Sequence, residues 1–200
     1  MNNAGQLAGI GCSCKENRNM LKSTMDVMLM RILGIDPGIA TIGFAVLESD
    51  KNHYNLIKCG VVETPAHTSL ASRLSRIYDD IQELIRLFQP DAVSIEELFF
   101  NTNLTTGISV AHGRGVIILA CEKAGIDIYE YTPSQVKQAV VGYGRAEKKQ
   151  VMEMVRKICS LKAIPRPDDA ADAVALAICH ARSSTSLLYQ QGENTVCSTI

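Results

Sequence analysis

Residues 31–46 read RILGIDPGIATIGFAV, and this stretch decides the fold. Ile32-Leu33-Gly34-Ile35 is an apolar strand that delivers one carboxylate, Asp36, at its end. Pro37 and Gly38 break the strand, and Thr41 to Leu47 start a second. A continuous apolar run implies burial on both faces, so the first strand is expected at the centre of a sheet. A carboxylate at the mouth of such a strand is costly unless it meets a cation, a donor or water. An Asp that caps a Pro-Gly turn satisfies the same residues, so the stretch alone leaves a structural and a chemical role open.

The whole chain narrows the class. Its 200 residues suit one well-packed domain. No apolar run approaches the ~18 residues that cross a membrane, so no membrane partner is expected. The first 20 residues lack a basic start followed by an apolar core, so no signal peptide is read. Seven scattered cysteines fit reduced thiols in a cytoplasmic protein better than a disulfide framework. Cys12 and Cys14 form the only close pair and find no matching Cys/His pair, which argues against zinc. The net charge of −1 hides an asymmetry: residues 137–166 carry +6 and the remainder −7. Lysines on a solvated helix face would account for it, whereas a polyanionic ligand with its metal ions would exploit it.

Outward from the opening stretch, residues 1–29 lack periodicity and read as a disordered leader, or as an artefact of start-site choice ahead of Met30. Strands are expected at 32–36, 41–47 and 54–63, with Ser49-Asp50-Lys51-Asn52 as the hairpin turn. Leu70, Leu74, Ile77, Ile81, Leu84, Ile85 and Phe88 recur at helical steps over 69–88, and Pro90 follows. A fourth strand over 91–97 again ends in acid, at Glu96 and Glu97. Then come a helix over 103–123 stopped by Gly125, a strand over 126–131, a short helix from Pro133 to about Val141, and a helix over 146–161. Gly107, Ala111, Gly113 and Gly115 suggest that the second helix packs closely on another helix or a partner subunit. A last helix runs from Asp168 to about Arg182, and residues 183–200 read as a disordered tail after a single domain over 30–182. The order βββαβαβ followed by helices predicts an α/β, ribonuclease H-like fold: a mixed five-stranded sheet flanked by helices. In that fold the first and fourth strands are neighbours, which would set Asp36 beside Glu96.

The last helix opens Asp168-Asp169-Ala170-Ala171-Asp172 and is almost wholly apolar from Ala170 onward. Acid in a first turn suits the helix dipole, which accounts for Asp168 or Asp169. It accounts less well for Asp172, three residues after Asp169 on the same face and inside an apolar run. Asp36, Glu96, Asp169 and Asp172 thus form a candidate carboxylate cluster whose repulsion divalent cations would relieve. Hard oxygen ligands suit Mg²⁺, with Mn²⁺ able to substitute. Two such ions about 3.5–4 Å apart would activate water and stabilise the leaving oxygen of a phosphodiester.

The set ILGIDPG, SIEELFF, QVKQAVVGYGRAEKKQVMEMV and RPDDAADAVALAI, in that order between Met30 and Ala181, resembles the RuvC family of crossover junction endodeoxyribonucleases. The resemblance implies that Asp36, Glu96, Asp169 and Asp172 are the metal-binding catalytic quartet. It sets Lys137 and Lys148 near the scissile phosphate and gives Phe99 the role of an aromatic that stacks on bases, while Lys149 reads as an ordinary phosphate contact or a solvated neighbour. It also implies four-way junction DNA as substrate, a homodimer, a RuvA–RuvB branch-migration complex as partner, and nicks that leave 5′-phosphate and 3′-hydroxyl ends. An actin-like nucleotide-binding protein shares the GIDxG turn but needs two such domains. A RuvC-like ribosomal RNA maturation nuclease shares the first motif, and the basic segment and Phe99-Phe100 favour the junction enzyme over it. His53, His67, His112 and His180 show no catalytic spacing and read as surface or satisfied core residues.

Overall fold

The computed structural model describes residues 29–50, 53–98 and 104–196. Its elements are β1 (Met30–Asp36), β2 (Thr41–Asp50), β3 (His53–Glu63), α1 (Leu70–Phe88), β4 (Ala92–Glu96), α2 (Leu104–Ala124), β5 (Asp127–Tyr131), α3 (Pro133–Val141), α4 (Lys148–Ile158) and α5 (Asp168–Val196). The five strands form one sheet in the order β3-β2-β1-β4-β5. β1 pairs antiparallel with β2 and parallel with β4, so the expected mixed sheet has β1 at its centre. β3 adds antiparallel to β2, and β5 parallel to β4.

The alternation of β1 splits the core. Leu33 and Ile35 face α1 and α2, where Ile77, Ile81 and Ile117 close one fully buried cluster. Ile32 faces the opposite layer, where Val140, Val155, Val174 and Ile178 come from α3, α4 and α5. α5 lies unusually close to the sheet. A Cβ on Gly34 would stand 2.1 Å from the carbonyl oxygen of Ala173, and one on Gly43 2.0 Å from that of Asp169. Only glycine fits at these two strand positions, because the helix backbone fills the space a side chain would take.

Local chemistry sets the ends. Ser69 caps α1 by accepting from the Ser72 amide. α1 stops at Gln89, whose φ of 45° is left-handed, one residue ahead of the Pro90 expected to end it. Gly125, at φ 68°, follows α2 as its sequence position implied. Leu70, the first residue of α1, is 42% exposed rather than inward. Met152 is the buried methionine of α4, and Met154 packs partly buried against the core. α5 continues to Val196 instead of ending near Arg182, since nothing after Ser183 stops a helix until Gly192, which it also passes. Expectations for residues 1–28 and for Phe99 lie outside the described residues.

His180, in α5, departs from the expected satisfied core histidine. It is 2% exposed, and its Nδ1 shares a 2.8 Å hydrogen bond with the Tyr131 hydroxyl. Its ring lies 4.2 Å from that of Tyr129, and its Nε2 has no partner among the described residues. Burial pushes its pKa down to about 4. The unfolded chain therefore takes up a proton near pH 6.5 that the folded chain refuses until about pH 4. The stability that neutral His180 contributes is present above the higher value and lost as pH falls through this window. Histidine-dependent loss by pH 4 is on the order of 3 kcal/mol, and His180→Gln should flatten that part of a urea-midpoint titration. Gly34→Ala should cost about 3 kcal/mol or more, because backbone must move to admit one methyl group; thermal unfolding would read it.

Candidate active site

The β1–β4 register places Ile35 beside Ile95, so the next residue of each strand, Asp36 and Glu96, leaves the sheet at the same edge. Both are partly buried where their strands end. α5 brings the third carboxylate. Its first residues rest on Gly43, which holds Asp169 against β2, and Asp172 follows one turn on. Asp36, Glu96 and Asp172 line a cleft of about 240 Å³. Lys137 from α3 and Lys148, the first residue of α4, line the same cleft over a floor of Val136, Val151, Ala175 and Leu176. Capping supports both lysines: Thr132 and Gln135 form a reciprocal capping box at the start of α3, and at α4 the Glu147 amide donates to the Gln150 side chain at 2.9 Å.

The electrostatics are those of acids crowded at the edge of a core. Burial, then the charges of Glu96, Asp172 and Asp169, raises the Asp36 pKa to about 8. Glu96 is raised as well, first by burial and then by Asp172, while Lys148 and Lys137 oppose the shift. Lys148 Nζ donates to Asp172 Oδ2 at 2.8 Å and lies 3.9 Å from Asp168 Oδ2. The bond to Asp172 leads the causes that push the Lys148 ammonium up. Asp169 does not line the cleft, although its charge acts on Asp36. Asp168 is partnered by Arg166 as well as Lys148, and Glu97 is exposed. Lys149 is exposed and outside the cleft lining. Sequence reasoning missed Arg114, which holds the end of β4 from α2. Its only signal is a basic residue inside an apolar helix.

Among the described residues no three acidic, His or Cys side chains converge closely enough to hold an ion as placed. The donor set nevertheless fits a hard divalent cation: carboxylates alone, with Asp36 and Glu96 partly buried and raised by burial and by neighbouring acids. The Lys148 ammonium, paired with Asp172, is the local counter-charge.

This domain is therefore a ribonuclease H-like α/β unit with carboxylates and lysines gathered at the ends of its central strands. The sequence model described as "Crossover junction endodeoxyribonuclease RuvC" matches residues 32–180, and the chain belongs to that family. The Heliobacterium modesticaldum crossover junction endodeoxyribonuclease RuvC is 55% identical over 156 residues, 78% of this chain and 96% of the relative. Thermus thermophilus RuvC superposes with a TM-score of 0.74 at 37% identity, over 78% of this chain and 96% of that one. T. thermophilus RuvC in complex with Holliday junction substrate superposes at 0.72 with 36% identity over the same shares, 78% and 96%. The family match removes the actin-like alternative.

Asp36→Asn takes away the carboxylate with the largest upward shift. In ion-free protein at pH 8.5 it should raise Tm by roughly 5 °C, and a rise on adding Mg²⁺, expected of the wild type if the cluster holds the ion, should be absent from the variant. Differential scanning calorimetry with and without the ion reads both.

Proposed function

We propose that this chain resolves Holliday junctions in DNA recombination and repair, by metal-dependent endonuclease cuts in two symmetry-related strands. The observation that supports it most is the cleft that joins Asp36, Glu96 and Asp172 to Lys137 and Lys148, in a chain of this family. A hydrolytic cut that releases the 3′ oxygen leaves 5′-phosphate and 3′-hydroxyl ends.

Asp36, Glu96, Asp169 and Asp172 would hold Mg²⁺, two ions per site, with Mn²⁺ able to substitute. When bound, the ions supply a water activated for attack and charge stabilisation at the leaving oxygen. The chain's own residues do the rest. Asp36 and Glu96 sit on strand ends fixed by sheet pairing, so their spacing changes little as the substrate enters. Asp172 faces the cleft from a helix whose next turn, Ala175 and Leu176, forms the floor. Lys148 reaches Asp172 from a capped helix start, and the same ammonium would neutralise charge that develops on the phosphate. Lys137 would hold a second phosphate oxygen. Val136, Val151 and Leu176 limit the water that can screen these charges.

Lys149 is proposed as a contact to a neighbouring phosphate, since it is exposed beside Lys148. Phe99 is proposed to stack on junction bases; it lies outside the described residues. The nuclease unit is assigned to residues 30–182, which encloses the family match, with the flanking segments 1–29 and 183–200 outside it. A homodimer would present two equivalent clefts to the two-fold symmetry of a four-way junction. A RuvA–RuvB branch-migration complex is the partner and the cytoplasm the location that this reading implies. No helix among the described residues is long and apolar enough to cross a membrane.

Incubation with a synthetic four-way junction and Mg²⁺ tests the reading. Paired nicks at symmetric positions are expected, with a loss of 10³-fold or more in Asp36→Asn, about the scale of removing a group that stabilises the transition state. Equal cutting of linear duplex would overturn the structure-specific assignment. Lys148→Ala should lower turnover by about 10²-fold and leave junction affinity within about twofold of wild type.

A further inference from the structure

Arg114 is the candidate that the proposed reaction leaves unused. It lies in the middle of α2, its side chain is only 14% exposed, and its guanidinium spans three elements. Nε donates to the backbone carbonyl of Glu96 at 3.2 Å. Nη2 forms an ion pair with Glu130, which projects from β5. Glu96 is the last residue of β4 and the point at which the chain leaves the sheet. On its β5 side it is held through its neighbour: the Glu97 amide donates to the Tyr131 carbonyl at 2.9 Å. On the α2 side Arg114 supplies the hold. Arginine suits this place because Nε can donate to a carbonyl while Nη2 meets the charge of a carboxylate, whereas a lysine offers a single point.

We propose that Arg114 is a positioning residue: it fixes the Glu96 backbone, and Glu130 locks the guanidinium in the orientation that makes this bond. Without this bond the strand end keeps only its β5-side pairing to Tyr131, and its carboxylate would be freer to move away from Asp36. The inference rests on Glu96 as an ion ligand. Residues that orient a ligand weaken ion binding by roughly 10–100-fold when removed, without touching the ion.

Calorimetric titration of the full chain with Mg²⁺ in the absence of DNA tests this directly. Arg114→Gln should weaken binding about tenfold, and Arg114→Lys, which can still bond the carbonyl, should recover part of that loss. Junction affinity in EDTA should stay within about twofold of wild type, which a general loosening of the fold would not allow. Mg²⁺ binding within about twofold of wild type in Arg114→Gln, or an equal loss of junction affinity in EDTA, would overturn the assignment. If Arg114→Gln does not fold, Glu130→Gln decides: weaker Mg²⁺ binding supports the role and unchanged binding refutes it. Glu96→Gln is the reference. If it leaves Mg²⁺ binding intact, Glu96 is no ligand and the site reading itself fails. If it abolishes binding while Arg114→Gln binds normally, only the role of Arg114 falls.

Discussion

The site depends on backbone meeting backbone. α5 crosses β1 and β2 at positions where Gly34 and Gly43 have no side chain, and its carbonyl groups at Ala173 and Asp169 fill that space. Any larger residue would lift the helix by the thickness of a methyl group and carry Asp169 and Asp172 away from Asp36. The alanines between them serve the same contact from the helix side: Ala170, Ala171, Ala173 and Ala177 are buried and add little bulk. Small residues on both partners thus convert a packing contact into a distance between charges. Densely packed interiors transmit such displacements and do not absorb them.

The carboxylates set against this packing are held at a cost. Asp36, with its pKa raised to about 8, sits where burial and three other acids all oppose its ionisation. The fold tolerates the arrangement because both strand ends are fixed from outside the cluster: Asp36 by its pairing with Gly43, and Glu96 by the contacts of Arg114 and the Glu97 amide. Lys148 offsets part of the repulsion through Asp172, yet it is exposed enough to turn toward an entering phosphate. A site with this balance of charge gains most from a ligand that brings both cations and a polyanion. The +6 charge of residues 137–166 extends the same logic to the surface around it.

Much of this was legible in the sequence because the signals are local. The ILGID run named a central strand, its neighbours followed from connection rules, and the DDAAD opening marked an acid too deep in an apolar helix for dipole stabilisation alone. The cleft joins three of the four acids, Asp36, Glu96 and Asp172, to Lys137 and Lys148; Asp169 acts on it only through its charge. What the sequence did not show depends on depth and reach. Leu70 has helical spacing but, as the first residue of α1, is exposed. The continuation of α5 past Arg182 was hidden because polar composition was read as an absence of structure, although nothing in 183–191 breaks a helix. Arg114 and Glu130 are separated by a strand connection and carry no motif; only the fold brings them together.

α5 also shows why the carboxylates and the core cannot be separated into functional and structural parts. Its first turns hold Asp169 and Asp172, its middle packs Val174 and Ile178 into the core, and two residues later His180 is buried against Tyr129 and Tyr131 of β5. A helix held against the sheet at its start and again at His180 resists sliding along it, because movement that relieved the repelled acids would disturb the aromatic contact of His180. The unpartnered Nε2 of His180 is a small local loss within a contact that helps to fix the register of the whole helix. Packing at His180 thus helps to maintain the placement of the acids at the start of α5, and the strain of the acidic cluster is borne by the core as well as by its immediate neighbours.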